Sequence, residues 1–152
     1  MADRHRTFEV LVVEDNPADA ELTREMLEEG CSAVQVTIAA DAGAAMQMLQ
    51  LRLGANLPQP AIVLLDLNLP GLSGLDFLAE LRGNPRLRTT PVVVFSTSNA
   101  EADITNSYAL GANSYVTKPF EVEDCRRAIG NLRAFWLSTA ELPGRRQGGR
   151  PA

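Results

Sequence analysis

Short apolar runs alternate with longer amphipathic segments along the chain. Five runs rich in Val, Ile and Leu occupy residues 9–13, 34–39, 61–65, 91–95 and 113–116. Three of them are almost continuously apolar, which is typical of strands covered on both faces in a parallel sheet. The segments between them have the length and the flanking residues of helices. The pattern therefore predicts strand–helix units repeated five times.

Polar residues mark where the helices begin. Asn16 stands before Pro17, a favoured first helical residue, and Gly30 can end that helix in a left-handed turn. Asp41, Ser73 and Ser98 are the capping residues expected for the next helices, with Asp76 and Glu101 at capping-box spacing from the two serines. In the last helix an apolar stripe should face the sheet, formed by Val122, Cys125, Ile129, Leu132 and Trp136.

These units predict a doubly wound α/β domain, because right-handed crossovers place helices on both faces of a parallel sheet. We expect the flavodoxin-like strand order 2-1-3-4-5, with five strands, which is common in domains of this size. The domain is predicted to span 8–140 of the 152 residues. A flexible leader is expected over 1–7 and a disordered basic tail over 141–152.

Composition restricts the chemistry. The chain carries 19 acidic and 14 basic residues, and this acidic balance argues against nucleic acid as a direct partner. Its one histidine, His5, makes a Ser-His-Asp triad, a His-rich zinc site or a histidine phosphotransfer site improbable. Cys31 and Cys125 lie far apart, so we expect buried, reduced thiols. Without a membrane span or signal peptide, the protein is expected to be cytoplasmic, with no membrane partner.

The polar residues that follow the strands are predicted to meet at one edge of the sheet. In an open parallel sheet, ligands bind at the carboxyl ends of the strands, where the strand order reverses. The residues at those ends are Glu14 and Asp15 after strand 1, Asp66 after strand 3, Ser96 and Thr97 after strand 4, and Lys118 after strand 5. Lys118 is the only lysine of the chain.

This combination of residue types indicates phosphoryl transfer to a carboxylate. Three neighbouring carboxylates repel one another unless a cation is present, and hard oxygen ligands suit Mg²⁺. A lysine and a hydroxyl can neutralise the oxygens of a transferring phosphoryl group. Taken singly, Glu14 or Asp15 could simply begin a helix, and Lys118 could be an ordinary loop lysine. Their joint placement favours the functional interpretation.

The motifs VVEDNP, LLDLNLPGLSGLDFL, PVVVFSTS and ALGANSYVTKPF, in this order, resemble the receiver domain of two-component response regulators. The resemblance spans residues 10–137 and implies Mg²⁺-dependent phosphorylation by a sensor histidine kinase. It implies that Asp66 is the phosphoacceptor, that Asp15 binds Mg²⁺ directly and Glu14 through water, that Asn68 offers its backbone carbonyl to the metal, that Ser96 and Tyr115 are the switch residues, and that Lys118 is the phosphate partner. It also implies a cis peptide bond before Pro119.

Within that family, the loop before strand 3, the STSN sequence and Phe135–Trp136 are similar to stand-alone regulators that serve bacterial phytochrome kinases. No output domain follows, so we expect a switch, not an enzyme, that catalyses only its own phosphorylation and dephosphorylation. Its signalling face would comprise helix 4, strand 5 and helix 5, with Tyr115 turning inward. By family analogy the kinase would dock on helix 1 near Leu22 and Met26. Either Phe135 and Trp136 form a homodimer surface, or one of them caps the core.

Three alternatives remain open at this point. An aspartyl-nucleophile phosphohydrolase, also Mg²⁺-dependent, normally has a second Asp two residues after the first, where this chain has Asn68. A flavodoxin-like electron carrier needs a loop rich in glycine and hydroxyl groups after strand 1, where this chain has the acidic sequence EDNPAD. A degenerate receiver used only as a scaffold would not need the intact set of site residues.

Overall fold

The computed structural model describes residues 7–144, in which a five-stranded parallel sheet has the order β2-β1-β3-β4-β5. Its strands are β1 (Phe8–Val13), β2 (Val34–Ala39), β3 (Ile62–Leu65), β4 (Val92–Ser96) and β5 (Ser114–Thr117). Its helices are α1 (Pro17–Glu28), α2 (Ala42–Gly54), α3 (Gly74–Gly83), α4 (Glu101–Ala109) and α5 (Val122–Ala134), and α5 continues into a π-helical segment, Phe135–Thr139. The predicted fold class and strand order are confirmed, and all five strands begin and end within one residue of their predicted limits.

The central strands contribute alternate side chains to two apolar layers, one on each face of the sheet. In β1, Leu11 and Val13 pack with α2 and α3, whereas Val10 and Val12 pack with α1 and α5. The side chains of β3 and β4 alternate in the same way. Because both faces are covered, these strands have no polar side and read as continuous apolar runs.

Three of the four predicted caps form as expected. The side chains of Asn16, Asp41 and Ser73 each accept a hydrogen bond from a backbone N–H in the first turn of α1, α2 and α3. Gly30 follows α1 with a φ of 63°, in the left-handed region. The cap predicted at Ser98 is wrong, because α4 begins two residues later, with Ala100 at the N-cap position.

Two other expectations change at the C-terminal side of the domain. Val122 is exposed, because the apolar contacts of α5 with the sheet begin one turn later at Cys125. Leu142 is buried against the α1 and α5 layer, so the packed chain extends past residue 140. His5 and the three arginines of the predicted tail lie outside the described residues. No helix within 7–144 is both long enough and apolar enough to cross a membrane.

Arg82, near the end of α3, links two connecting loops by hydrogen bonds. Its guanidinium donates hydrogen bonds to the carbonyls of Arg88, Thr90 and Gly111 and to the side chain of Asn113, at 2.7 to 3.0 Å. The same Asn113 oxygen accepts the N–H of Val92 at the start of β4, 2.8 Å away. Burial lowers the pKa of Arg82. These bonds hold the loop after α4 against the loop before β4.

Tyr108 on α4 covers part of the outer edge of β5. Its hydroxyl accepts the backbone N–H of Tyr115 at 3.2 Å. Within the described residues β5 is an edge strand that pairs only with β4, so this outward-facing N–H has no neighbouring strand to bond to.

Gly74 allows α3 to begin directly against the end of β3. A β-carbon at this position would come within 2.5 Å of the Asp66 carbonyl oxygen and 2.7 Å of the Leu67 α-carbon. Both atoms belong to the backbone, so neither can move aside without displacing the strand end.

We predict that Gly74→Ala lowers the free energy of unfolding by about 2 kcal/mol, because the added methyl group overlaps backbone atoms. Gly83→Ala, at the other end of the same helix, has open space around its β-carbon and is the matched control. It should leave stability unchanged or raise it by about 0.5 kcal/mol. Urea unfolding followed by circular dichroism measures both, and equal stability of the two variants would contradict the steric argument.

We predict that Arg82→Met also costs about 2 kcal/mol of stability, because it leaves partly buried carbonyl oxygens without donors. Arg86→Met removes an exposed arginine from the following loop and serves as the control. Thermal and urea unfolding should rank Arg82→Met well below both the parent and this control. A change below about 0.5 kcal/mol would mean that water replaces the guanidinium.

Candidate functional site

Three carboxylates meet where β1 and β3 end side by side. The parallel pairing of Val13 with Leu65 brings Glu14 and Asp15 next to Asp66. One oxygen from each carboxylate lies within 4.8 Å of the others. Glu14 and Asp66 are nearly buried, whereas Asp15 is exposed. The cluster is therefore a charged concavity with one side open to solvent.

Lys118 reaches this cluster from the end of β5. Its ammonium nitrogen is 2.8 Å from Glu14 Oε1 and 4.0 Å from Asp66 Oδ2. It also lies 5.5 Å from the centre of the Phe95 ring, at which distance a cation is attracted by the ring face. Lys118 is thus paired chiefly with Glu14, and a small rotation of its side chain would bring the ammonium group into contact with Asp66.

Burial and pairing oppose each other in this ion pair. Burial raises the pKa of Glu14, and the hydrogen bond from Lys118 reverses only part of that rise. Burial alone would lower the pKa of Lys118, but the hydrogen bond to Glu14 and the charges of Glu14 and Asp66 outweigh it, so the pKa is raised. Lys118 is therefore a firmly protonated cation in this site.

Backbone N–H groups orient two of the carboxylates. The N–H of Asn16 donates to Glu14 Oε2 at 3.1 Å, and the N–H of Asn68 donates to Asp66 Oδ1, also at 3.1 Å. The Asn68 residue is exposed at the mouth of the site. Each carboxylate is thus positioned by the loop that follows its own strand.

Ser96 and Tyr115 meet through one residue of the β4–α4 loop. Ser96 is fully buried, and its hydroxyl oxygen accepts the N–H of Ser98 at 3.3 Å. The half-buried Tyr115 donates its hydroxyl to the carbonyl of Ser98 at 2.7 Å. The Ser96 carbonyl in turn accepts the N–H of Lys118 at 2.6 Å. The serine, the tyrosine and the lysine are therefore linked by hydrogen bonds.

Three expectations about individual residues are wrong. All peptide bonds within residues 7–144 are trans, including the one before Pro119. Trans is the lower-energy isomer of such a bond, and Lys118 reaches Glu14 from it. Met26 lies on the buried face of α1 and cannot contact a docking partner, whereas Leu22 is half-buried. The free thiols of Cys31 and Cys125 are half-buried rather than fully buried.

Reasoning from the sequence missed two features of the site. Gly74 packs against the backbone of Asp66, and the only available signal was a glycine directly after a helix cap. The sequence predicts Ser98 as a helix cap, but its hydroxyl accepts the N–H of Ala100 at 3.2 Å and donates to Asp103 at 2.5 Å. An acidic residue five positions after a serine is not a recognised capping pattern.

The donor set fits Mg²⁺. Carboxylate oxygens are the hard ligands that this ion prefers, and it retains several waters, which the exposed side at Asp15 leaves room for. A divalent cation would also offset the repulsion among three carboxylates that Lys118 alone balances only in part. The three acidic residues predicted from the sequence are those that the fold brings together.

Comparison with known proteins agrees with this geometry. The family model for the response regulator receiver domain matches residues 10–130. The response regulator Rcp1 from Synechocystis is 41% identical over 136 residues, which cover 88% of this chain and 92% of that protein.

Solved structures extend the likeness to three dimensions. The phosphorylated cyanobacterial phytochrome response regulator RcpA superposes with a TM-score of 0.84 at 39% identity, covering 91% of this chain and 99% of that one. The Mn²⁺-bound form of Rcp1 superposes with a TM-score of 0.82 at 40% identity, covering 90% and 99%. With the match of fold, site and sequence over nearly its whole described length, the chain belongs to the response regulator receiver domain family.

Proposed function

We propose that the protein is a signalling switch in which Asp66 accepts a phosphoryl group from a sensor histidine kinase. The observation that carries this proposal is the placement of Asp66 beside two further carboxylates with Lys118 Nζ only 4.0 Å away. A carboxylate in these surroundings does not stabilise the fold, since it adds negative charge to the cluster without forming a close ion pair of its own. It is well suited to receive a phosphoryl group whose charge the lysine and a metal then balance.

The transfer conserves atoms and electrons as follows. A carboxylate oxygen of Asp66 forms a bond to phosphorus while the phosphorus–nitrogen bond of the kinase phosphohistidine breaks. The electron pair of that bond returns to the imidazole nitrogen, and Asp66 becomes an acyl phosphate. Asp15, Asp66 and the backbone carbonyl of Asn68 would hold Mg²⁺, with Glu14 bound to it through water. The ion would supply charge neutralisation on the phosphoryl oxygens.

The remaining polar groups stabilise the product. Lys118 is a protonated cation that can leave Glu14 for a phosphoryl oxygen on Asp66, because its nitrogen already stands between the two. Ser96 donates its hydroxyl proton to another phosphoryl oxygen. Movement of Ser96 reaches Tyr115 through Ser98 and so alters the face formed by α4, β5 and α5. Ser96 and Tyr115 are thus the switch residues in this proposal.

We further propose that the phosphodonor is a phytochrome-type kinase, because the similar protein RcpA is a phytochrome response regulator. Docking would use the exposed acidic side of α1, with Glu21 and Glu25 beside Leu22.

The reduced thiols fit a cytoplasmic location. The acidic net charge of −5 disfavours nucleic acid as a partner, and the protein's own phosphorylation and dephosphorylation are its only reactions.

A phosphohydrolase of the aspartyl-nucleophile class is not favoured. Its general acid would have to stand two residues after Asp66, and that residue is Asn68. An amide side chain has no proton to give to a leaving group at neutral pH.

We predict that the parent protein takes up label from radioactive acetyl phosphate in the presence of Mg²⁺ and that Asp66→Asn does not. Asp76→Asn, which neutralises an exposed carboxylate in the first turn of α3, should be labelled like the parent. The label should be released by hydroxylamine, as an acyl phosphate is. Undiminished label in Asp66→Asn, or label that resists both hydroxylamine and acid, would refute the phosphoacceptor.

We propose a homodimer that uses the surface around Phe135 and Trp136. The two rings pack edge to face with centroids 5.2 Å apart; Phe135 is 52% exposed, whereas Trp136 is half-buried against the core. Both line a shallow groove of about 560 Å³ between α5 and the edge strand β5. An exposed aromatic beside an open apolar groove favours contact with a second copy, because the contact removes the ring and the groove of both molecules from water.

We predict that the Phe135→Ala, Trp136→Ala double variant is a monomer where the parent is a dimer. Phe135→Ala alone should weaken the dimer without loss of stability, because its ring is more than half exposed. Phe120→Ala, at 98% exposure outside the groove, is the control and should remain dimeric. Light scattering over a concentration series gives the masses. The same mass for the double variant and the parent would rule out this interface.

A further inference from the structure

Every hydrogen-bonding group of Ser98 is engaged, and the partners belong to three different parts of the domain. Its N–H donates to the Ser96 hydroxyl and its carbonyl accepts the Tyr115 hydroxyl, at 3.3 and 2.7 Å. Its own hydroxyl accepts the N–H of Ala100 and donates to the carboxylate of Asp103, at 3.2 and 2.5 Å. A residue with all four groups bonded has one orientation, so Ser98 fixes the angle at which the loop leaves β4.

The bond from Ser98 to Ser96 determines what the buried hydroxyl can do. A serine hydroxyl has one proton and two lone pairs. Since the Ser98 N–H occupies a lone pair of Ser96, the proton of Ser96 stays available for donation to an acceptor at Asp66. If Ser98 lost its orientation, the Ser96 side chain could rotate, and its hydroxyl proton would no longer point toward Asp66.

Asp103 anchors Ser98 to the first turn of α4. A carboxylate in the first turn of a helix is stabilised by the unpaired N–H groups of that turn. The Asp103 carbonyl also accepts the hydroxyl of the fully buried Ser107 at 2.7 Å, which adds a second contact within the helix. Because α4 has no side-chain cap at Ala100, the bond between Ser98 and Asp103 ties the loop to the first turn of the helix.

We propose that Ser98 and Asp103 are positioning residues for phosphoryl binding: their hydrogen bond holds the loop so that Ser96 directs its proton toward Asp66 and Tyr115 keeps its carbonyl partner. This inference rests on the proposed function of Asp66. It assigns to the loop a role apart from the charged cluster, because neither residue contacts Glu14, Asp15 or Lys118. The Ser98–Asp103 bond thereby couples the site to α4.

The test uses beryllofluoride, an analogue of the phosphoryl group, on the full chain labelled with 3-fluorotyrosine. The chain has two tyrosines, and Tyr115→Phe assigns their fluorine resonances. In saturating Mg²⁺, Ser98→Ala should bind beryllofluoride about fivefold more weakly than the parent, a factor typical of one ordinary hydrogen bond. Ser98→Thr keeps the hydroxyl and should bind within about twofold of the parent, by the same reasoning. Thr105→Ala, on an exposed position of α4, is the control.

Two further measurements separate positioning from general damage. The affinity for Mg²⁺, measured by calorimetry, should be the same in Ser98→Ala and the parent, because its predicted ligands are untouched. The Tyr115 resonance should shift or broaden in Ser98→Ala and in Asp103→Ala, with no additional change in the double variant, since both remove the same bond.

Equal beryllofluoride affinities of Ser98→Ala and the parent would overturn the proposal, and so would a parallel fall in Mg²⁺ affinity or a failure of Ser98→Thr to restore binding. The proposed function fails by a different result: no binding by the parent, or undiminished binding by Asp66→Asn. In that case the Tyr115 resonance of Ser98→Ala still decides whether the loop is positioned by this bond.

Discussion

Repulsion among Glu14, Asp15 and Asp66 is the constraint around which the rest of this domain is arranged. Three carboxylates with oxygens within 4.8 Å oppose folding, and the one lysine that reaches them is itself largely removed from water. A buried ion pair recovers its desolvation cost only in part. The stability that allows this cluster therefore comes from elsewhere, chiefly from the two apolar layers in which alternate residues of β1, β3 and β4 are buried.

The sequence predicted the part of the structure that depends on pattern. Continuous apolar strands separated by capped helices determine a parallel sheet, and the sheet determines that the residues after β1, β3 and β5 are neighbours. The acidic cluster and Lys118 follow from that topology without any knowledge of side-chain contacts. Their roles in phosphorylation remain predictions.

The sequence could not predict features that depend on distances of an ångström or less. Nothing in the spacing indicates that Lys118 pairs more closely with Glu14 than with Asp66, because both follow adjacent strands. Whether Ser98 caps α4 or bonds to Asp103 depends on where the helix begins, and helix boundaries are the least certain part of a pattern. Gly74 is required by the approach of one backbone to another, which no local pattern reports.

Helix α4 is held mainly by polar contacts near its two ends. Ser107 is its one buried residue, so apolar packing contributes little to its position. Ser98 and Asp103 tether its start, and Arg82 tethers the turn that follows it through the Gly111 carbonyl. An element fixed in this way can shift as a unit at modest cost, because few packed side chains must separate. The domain thus combines a rigid sheet with one adjustable helix beside the switch residues.

The hydrogen bond from the Tyr115 N–H to the Tyr108 hydroxyl affects how copies of this domain can assemble. An edge strand with unpaired N–H and C=O groups can pair with a strand of another copy. Each added strand leaves a new edge, so this association can repeat without limit. With this donor already bonded, strand addition along β5 would have to break an existing hydrogen bond before making a new one. Association through side chains around Phe135 and Trp136 meets no such obstacle, and a self-complementary patch closes after two copies. A single tyrosine hydroxyl in this way favours a closed pair over a growing fibre.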